Sequence, residues 1–175
     1  KMKKKIVITG GLGYIGTELC KLYSGVSWHH KIFIIDNRFS SERVNQIRNW
    51  NMEFIQGDIL DKNIIKKYCK DADVIHHLAG ITDVPRTKNE AISSKDEKIK
   101  EVAERGTQNI LDVIDNKCKI IFPSTHVVFE GTEKVKKDIG EDEITKPVLS
   151  YSYSKAVNEE QLKKSGKNYV ILRLG

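Results

Sequence analysis

Short β-branched runs alternate along the chain with stretches whose apolar residues recur three and four apart, the period of an amphipathic helix. Lys4–Thr9 is the first such run and ends in a glycine cluster. Leu19 and Leu22 predict a helix over Thr17–Tyr23. Lys31–Asp36 reads as a second strand, Glu42–Trp50 as a helix and Met52–Gln56 as a third strand. Lys62–Cys69 follows as a helix and Asp73–Leu78 as a fourth strand. A long helix over Lys95–Asn116 carries Ile99, Val102, Ile110, Val113 and Ile114 on one side. Lys119–Pro123, Ser154–Lys164 and Tyr169–Leu172 complete the series as strand, helix and strand. Strands separated by amphipathic helices are β-α-β units, and their right-handed crossovers build a doubly wound parallel sheet with helices on both faces. In that α/β architecture ligands bind beyond the C-terminal ends of the strands, where the winding reverses. Gly175 follows the last strand at once, so the pattern also predicts a fragment or an incompletely covered chain.

Composition narrows this picture. A chain of 175 residues with 39% hydrophobic content predicts one domain large enough to bury a core. The formal charge of +6 is too mild for disorder, and no apolar run approaches the roughly 20 residues of a membrane span. The basic start, Lys3-Lys4-Lys5, is followed by Gly10, Gly11 and Gly13 rather than an unbroken apolar stretch, so no signal peptide is expected there. Of 30 basic residues only 6 are arginine, and most are interleaved with acids, as in Lys95-Asp96-Glu97-Lys98. That distribution disfavours nucleic acid as a partner. Cys20, Cys69 and Cys118 lie far apart without a CxxC pair, the pattern of reduced thiols in a cytoplasmic protein. His29-His30 and His76-His77 lack a third ligand at suitable spacing, so no metal site is expected.

The first candidate chemistry lies at Thr9-Gly10-Gly11-Leu12-Gly13-Tyr14-Ile15-Gly16, between the first strand and the first helix. Glycines at 10, 13 and 16 permit a tight turn and a close backbone approach to a pyrophosphate, while the helix N-terminus offers unpaired N–H groups. Asp36 ends the second strand 20 residues after Gly16, the place of the acid that binds an adenosine ribose. A carboxylate there repels a 2′-phosphate and so favours NAD over NADP. Arg38 is read as a solvated loop residue, although its length would reach a 2′-phosphate. The second candidate is Tyr151 with Lys155, one helical turn apart; an ammonium near a phenol lowers its pKa from about 10 and makes it a usable acid or base. Tyr153 is a rival but points away from the face of Lys155. Thr125, after the fifth strand, can donate to the same substrate oxygen. His126 beside it is read as a packed strand-end imidazole rather than a substrate contact.

These residues in this order resemble the extended short-chain dehydrogenase/reductase family, in its NAD-dependent epimerase/dehydratase branch, and are most similar to enzymes of the UDP-glucose 4-epimerase type. The resemblance is carried by the segments 9–16, 34–38, 57–59, 73–80, 106–111, 123–131, 151–155 and 171–175. It implies a Rossmann-type domain over 1–175 that carries the catalytic residues, with the C-terminal substrate-binding region not present. It implies that Gly10, Gly13 and Gly16, with the backbone of Tyr14 and Ile15, hold the pyrophosphate of NAD. Asp36 and Asn37 would hold the adenosine ribose, Asp58 and Ile59 flank adenine, and Leu78, Ala79 and Gly80 line the dinucleotide. Tyr151 would be the base, Lys155 its partner and a ligand of the nicotinamide ribose, and Thr125 the catalytic hydroxyl. A nucleotide-sugar substrate and a homodimer, paired through the helices at Lys95–Asn116 and Ser154–Lys164, are also implied.

The chain departs from the family pattern in four places. Thr82 stands where many 4-epimerases carry lysine, and Ala103 where an asparagine is usual. The loop Val128-Phe129-Glu130-Gly131 is one residue longer than the family's VYG. His126-Val127 replaces the acidic pair of sugar 4,6-dehydratases, which argues against water elimination. The expected reaction is epimerisation by transient oxidation of a sugar hydroxyl, with a simple dehydrogenase or reductase, or a non-catalytic dinucleotide module, as alternatives.

Overall fold

The computed structural model describes residues 2–82, 94–132 and 138–175. Six strands, β1 (Lys5–Thr9), β2 (Lys31–Asp36), β3 (Glu53–Gln56), β4 (Val74–His77), β5 (Lys119–Thr125) and β6 (Asn168–Leu174), form one sheet in the order β3-β2-β1-β4-β5-β6. Every pairing is parallel. The winding runs one way from β1 to β3 and the other way from β4 to β6, so the reversal lies between β1 and β4.

Each face of the sheet is closed by helices because successive strand residues alternate sides. On one face Ile6, Ile8, Ile32 and Ile34 pack against α1 (Tyr14–Ser24) and α2 (Ser41–Asn49) through Cys20, Val44 and Ile47. On the other, Val7, Ile35, Ile75, Ile120 and Phe122 pack against α3 (Lys62–Cys69), α4 (Ser94–Leu111) and α5 (Ser150–Lys164) through Ile65, Ile110 and Leu162. Burying each such isoleucine is worth about 1.5–3 kcal/mol, which is why the central strands read as unbroken apolar runs. Asp61 starts α3 by accepting from the amides of Asn63 and Ile64, at 2.9 and 3.2 Å.

Three helix boundaries differ from the pattern by three residues or more. The first helix begins at Tyr14 rather than Thr17, because the glycine turn leads straight into it. The long helix ends at Leu111 rather than Asn116. Beyond it the Asp115 carboxylate accepts from the amides of Lys117 and Cys118, at 2.7 and 3.0 Å, and holds a turn that leads into β5. The last helix begins at Ser150 rather than Ser154, so Tyr151 and Lys155 both lie on it. The three cysteines are free and buried. No helix among the described residues is long and apolar enough to cross a membrane.

His76 and His77 are successive residues of β4 and therefore face opposite layers. His76 Nε2 lies 2.8 Å from the Tyr23 hydroxyl on the α1 side. His77 is enclosed on the other, with Nδ1 2.8 Å from Thr9 Oγ1 and Nε2 2.9 Å from Thr107 Oγ1. Each ring is thus committed to hydrogen bonds. Burial, reinforced by the Lys155 charge, pushes the His77 pKa down to about 3, and burial lowers that of His76. His77 stays neutral in the fold down to about pH 3 and His76 holds a proton less readily than usual, whereas both bind protons in the unfolded chain below the ordinary 6.5. Stability is therefore full above pH 6.5 and declines as the pH falls toward 3, by about 1.4 kcal/mol per unit for His77 alone. Urea unfolding at pH 7.0 and pH 5.0 should differ by roughly 2 kcal/mol or more, and His77→Gln should at least halve that difference.

Candidate functional site

The loops that leave the C-terminal ends of β1, β2, β4 and β5 enclose a crevice of about 810 Å³ over the reversal of the sheet. At its floor Gly10 turns with φ +72°, a conformation that favours glycine. A Cβ there would stand 2.6 Å from the Ala79 amide nitrogen, so β1 and β4 loops touch backbone to backbone. A Cβ on Gly16 would meet the Gly10 carbonyl oxygen at 2.6 Å, which lets α1 seat directly on the turn. Gly13 precedes α1 in an extended conformation, with no side chain capping the helix. The first amides of α1 therefore lack intrahelical partners and face the crevice, where Tyr14 and Ile15 form part of the wall. Both of their side chains are exposed.

Asp36 closes β2 with its carboxylate almost wholly buried. One oxygen accepts from the Leu12 amide at 3.0 Å, and the other from the Arg38 amide at 3.0 Å. The Leu12 carbonyl accepts from Arg43 of α2, so this peptide is gripped at both ends. Arg38 is not simply a solvated loop residue: its side chain is 66% exposed, yet Nε sits 3.4 Å from Asp36 Oδ1 and the residue lines the crevice beside Asn37. Asp58 accepts from the Leu60 amide at 2.9 Å. Ile59 is held by Asn109, whose amide donates to its carbonyl at 3.0 Å, and its side chain fills the space against Gly106. The Ala79 amide donates to Thr9 Oγ1 at 3.3 Å, which links the Leu78-Ala79-Gly80 wall to the His77 chain.

The other end of the crevice is built by β5 and α5. Thr125 ends β5 with Oγ1 accepting from the Val127 amide at 3.3 Å, which leaves its hydroxyl proton free to point elsewhere. Lys155 Nζ donates to the Pro123 carbonyl at 3.0 Å and lies 4.6 Å from the Phe122 ring centre and 5.7 Å from that of Tyr151. Burial lowers the Lys155 pKa to about 8 and raises that of Tyr151 above its ordinary value. The expected depression of the phenol by its lysine is thus not met here; enclosure acts on both groups and disfavours both charged forms. Tyr153 lies outside the crevice, with Lys100 over its ring at 5.2 Å. His126 is exposed rather than packed, its Nδ1 3.2 Å from the Leu174 carbonyl, because it opens the short 3-10 turn His126–Phe129 on the surface.

One turn beyond Lys155 on α5, Glu159 is buried against Ser124 Oγ at 2.6 Å and against Arg173 at 3.0 and 2.8 Å. Burial alone would raise its pKa, but the hydrogen bonds and charge of Arg173 with the Ser124 bond outweigh that and hold it below the usual range. This two-pronged pair fixes α5 to β5 and β6 beside Thr125. Every residue expected at the site, from Gly10, Gly13, Tyr14, Ile15, Gly16, Asp36, Asn37, Asp58, Ile59, Leu78, Ala79 and Gly80 to Thr125, Tyr151 and Lys155, lines this single crevice. Lys98 and Val102 of α4 line it as well and were not expected. Their spacing of four was visible as one helix face, but nothing in the chain marked which face turns inward. Among the described residues no group of three or more His, Cys, Asp or Glu side chains could hold a metal.

Comparison with known proteins follows the same lines. A model of the 3-beta hydroxysteroid dehydrogenase/isomerase family matches residues 7–171. A UDP-N-acetyl-alpha-D-glucosaminuronate decarboxylase of Bacillus cytotoxicus is 34% identical over 140 residues, covering 78% of this chain and 41% of that protein. The solved UDP-N-acetylglucosamine 4-epimerase of Methanobrevibacter ruminantium, in complex with UDP-N-acetylmuramic acid, superposes with a TM-score of 0.79 at 27% identity, over 99% of this chain and 55% of that one. The UDP-glucuronic acid 4-epimerase of Bacillus cereus, in complex with UDP-glucuronic acid and NAD, superposes with a TM-score of 0.76 at 26% identity, over 96% and 55%. The chain thus spans about half the length of the relatives it matches. By these matches the chain belongs to the extended short-chain dehydrogenase/reductase family, in the NAD-dependent epimerase/dehydratase branch.

Proposed function

We propose that the crevice binds NAD and that the protein is a sugar-nucleotide epimerase that transiently oxidises a sugar hydroxyl. The observation that carries this reading is the convergence of Thr125, Tyr151 and Lys155 on one crevice with the glycine turn and Asp36. The residues fit the dinucleotide: Gly10 and Gly16 leave room where a Cβ would clash, and the N-terminus of α1 has no capping side chain. Asp36 keeps lone pairs for ribose hydroxyls after accepting from Leu12 and Arg38. NAD, when bound, supplies the acceptor and donor of hydride.

The remaining chemistry belongs to side chains. Tyr151 takes the proton of the sugar hydroxyl and returns it when the keto-sugar is reduced on its other face. Thr125, whose oxygen already accepts from Val127, donates its own proton to that sugar oxygen. Lys155 donates one N–H to Pro123 and keeps two for the nicotinamide ribose and the phenol. With a pKa of about 8 it is charged below that pH, and in this reading its charge works against the burial that raises the Tyr151 pKa. Asn37, Asp58, Ile59, Leu78, Ala79 and Gly80 complete the dinucleotide wall in this reading. A homodimer through α4 and α5 belongs to the same reading.

Arg38 supports a second reading. Its guanidinium stands beside Asp36, in reach of a 2′-phosphate, as a reductase that exchanges NADP would need. Acid denaturation followed by chromatography separates the two: stoichiometric released NAD is expected for the epimerase, and an empty site would overturn it in favour of exchange. Tyr151→Phe should lower turnover on UDP-sugars roughly 100-fold or more while dinucleotide binding persists; turnover like that of the unmodified protein would remove Tyr151 from the reaction. The rate at which an amine-selective acylating reagent modifies Lys155, read by peptide mass spectrometry, should rise with a midpoint near pH 8. Added NAD should suppress that modification, and a midpoint above 10 would show that Lys155 is not enclosed as described.

A further inference from the structure

The Glu130 carboxylate reaches the start of α5. One of its oxygens, Oε1, accepts from the amides of Val148 and Leu149, each at 2.7 Å, and contacts the hydroxyl of Ser152. Leu149 occupies the N-cap position of α5 and has no polar side-chain atom with which to cap it. Ser152 is fully buried in the first turn, with its hydroxyl also 2.9 Å from the Leu149 carbonyl. A carboxylate at this end of a 15-residue helix also meets the favourable end of its dipole. The backbone around Glu130 is stitched to the same segment: the Gly131 amide donates to the Lys146 carbonyl and the Lys146 amide to the Val128 carbonyl, both at 2.8 Å. A Cβ on Gly131 would lie 2.6 Å from the Lys146 carbonyl oxygen, so glycine permits this approach.

This bridge joins two elements that must be in register. Thr125 and Tyr151 are 26 residues apart in sequence. Thr125 is the first residue before the 3-10 turn His126–Phe129, and Glu130 is the first residue after it. Leu149 lies two residues before Tyr151. Besides the contacts of Lys155 and Glu159 with β5, a route from Thr125 to Tyr151 therefore runs through one 3-10 turn, one carboxylate and the first turn of α5. Arg173 steadies the turn, with its guanidinium 5.0 Å from the Phe129 ring centre.

We propose that Glu130 is a positioning residue: by capping α5 from the neighbouring turn, it sets the Tyr151 phenol against the Thr125 hydroxyl. It touches no reacting atom and acts through the Val148 and Leu149 amides. The consequence for turnover rests on the proposed function, in which Tyr151 and Thr125 share one substrate oxygen; a misplacement of about 1 Å there lowers a rate as much as 100-fold. The capping itself stands apart from that reading.

Glu130→Ala and Glu130→Gln test it. Glu130 is exposed, so neither change removes core packing. In the alanine variant hydrogen exchange of the Val148 and Leu149 amides should quicken at least roughly 10-fold, and kcat on a UDP-sugar should fall roughly 10- to 100-fold. KM and NAD affinity should stay within about threefold, because Lys155 is also anchored to Pro123 and the glycine turn and Asp36 lie on other elements. The glutamine variant keeps Oε1 as an acceptor and should recover most of kcat and of the amide protection. Unchanged exchange in Glu130→Ala overturns the capping, and unchanged kcat beside faster exchange overturns the positioning. A glutamine variant as impaired as alanine overturns the assignment to Oε1. If the unmodified protein turns over no sugar nucleotide, the proposed function falls, and amide exchange alone still decides whether Glu130 holds α5.

Discussion

Two backbones touch where the sheet changes direction, and the crevice depends on that contact. The Gly10 turn after β1 lies against Ala79 after β4 with no room for a side chain between them. Because α1 seats on the same turn through Gly16, its unpaired amides, the end of β2 and the wall after β4 open onto one space. The contact is secured from below by polar groups that cannot reach water. The Ala79 amide, Thr9, His77 and Thr107 form a chain of hydrogen bonds from the turn to α4. Burial keeps this imidazole neutral, so one of its nitrogens donates in the chain and the other accepts. The enclosure that shapes the crevice floor therefore also sets the protonation state of His77.

Enclosure governs the far end of the crevice in a similar way. Lys155 is drawn in by the Pro123 carbonyl and the Phe122 ring, and the low-dielectric surroundings weaken its hold on a proton. Tyr151 is disfavoured as an anion by the same burial. Enclosure thus governs both groups more than either governs the other. The position of α5 then matters more than its composition. It is held on both sides of Lys155, by Glu130 at its start and by Glu159 with Ser124 and Arg173 one turn later. The interhelical bonds of Asn158 and Gln161 to the carbonyls of Ala103 and Glu104 hold it against α4.

The family pattern and its departures meet at this helix. The fold is shared with relatives whose names give different outcomes on UDP-sugars, among them a decarboxylase and 4-epimerases. Outcome is thus not written in the shared core. In the loop after β5, Glu130 has a partner set of its own at the start of α5.

Six strands, their alternation with helices and the parallel winding were legible in the sequence by itself, because hydrophobic period and glycine position are local properties of the chain. So were most of the residues of the crevice, since Gly10, Asp36, Thr125, Tyr151 and Lys155 occupy fixed places in repeated strand–helix units. What the sequence could not specify is where groups distant along the chain come to rest. Val113 and Ile114 continue a helical period, yet the helix stops at Leu111 because a turn held by Asp115 must bring the chain into β5. Tyr151 and Lys155 read as a tuned pair from their spacing, yet their protonation follows from burial against Phe122 and the sheet. Neighbouring histidines that looked alike in sequence went to opposite faces of β4 and to different partners. Period and motif are set within a few residues, whereas dielectric environment, helix ends and hydrogen-bond partners are set by whatever the tertiary fold brings alongside.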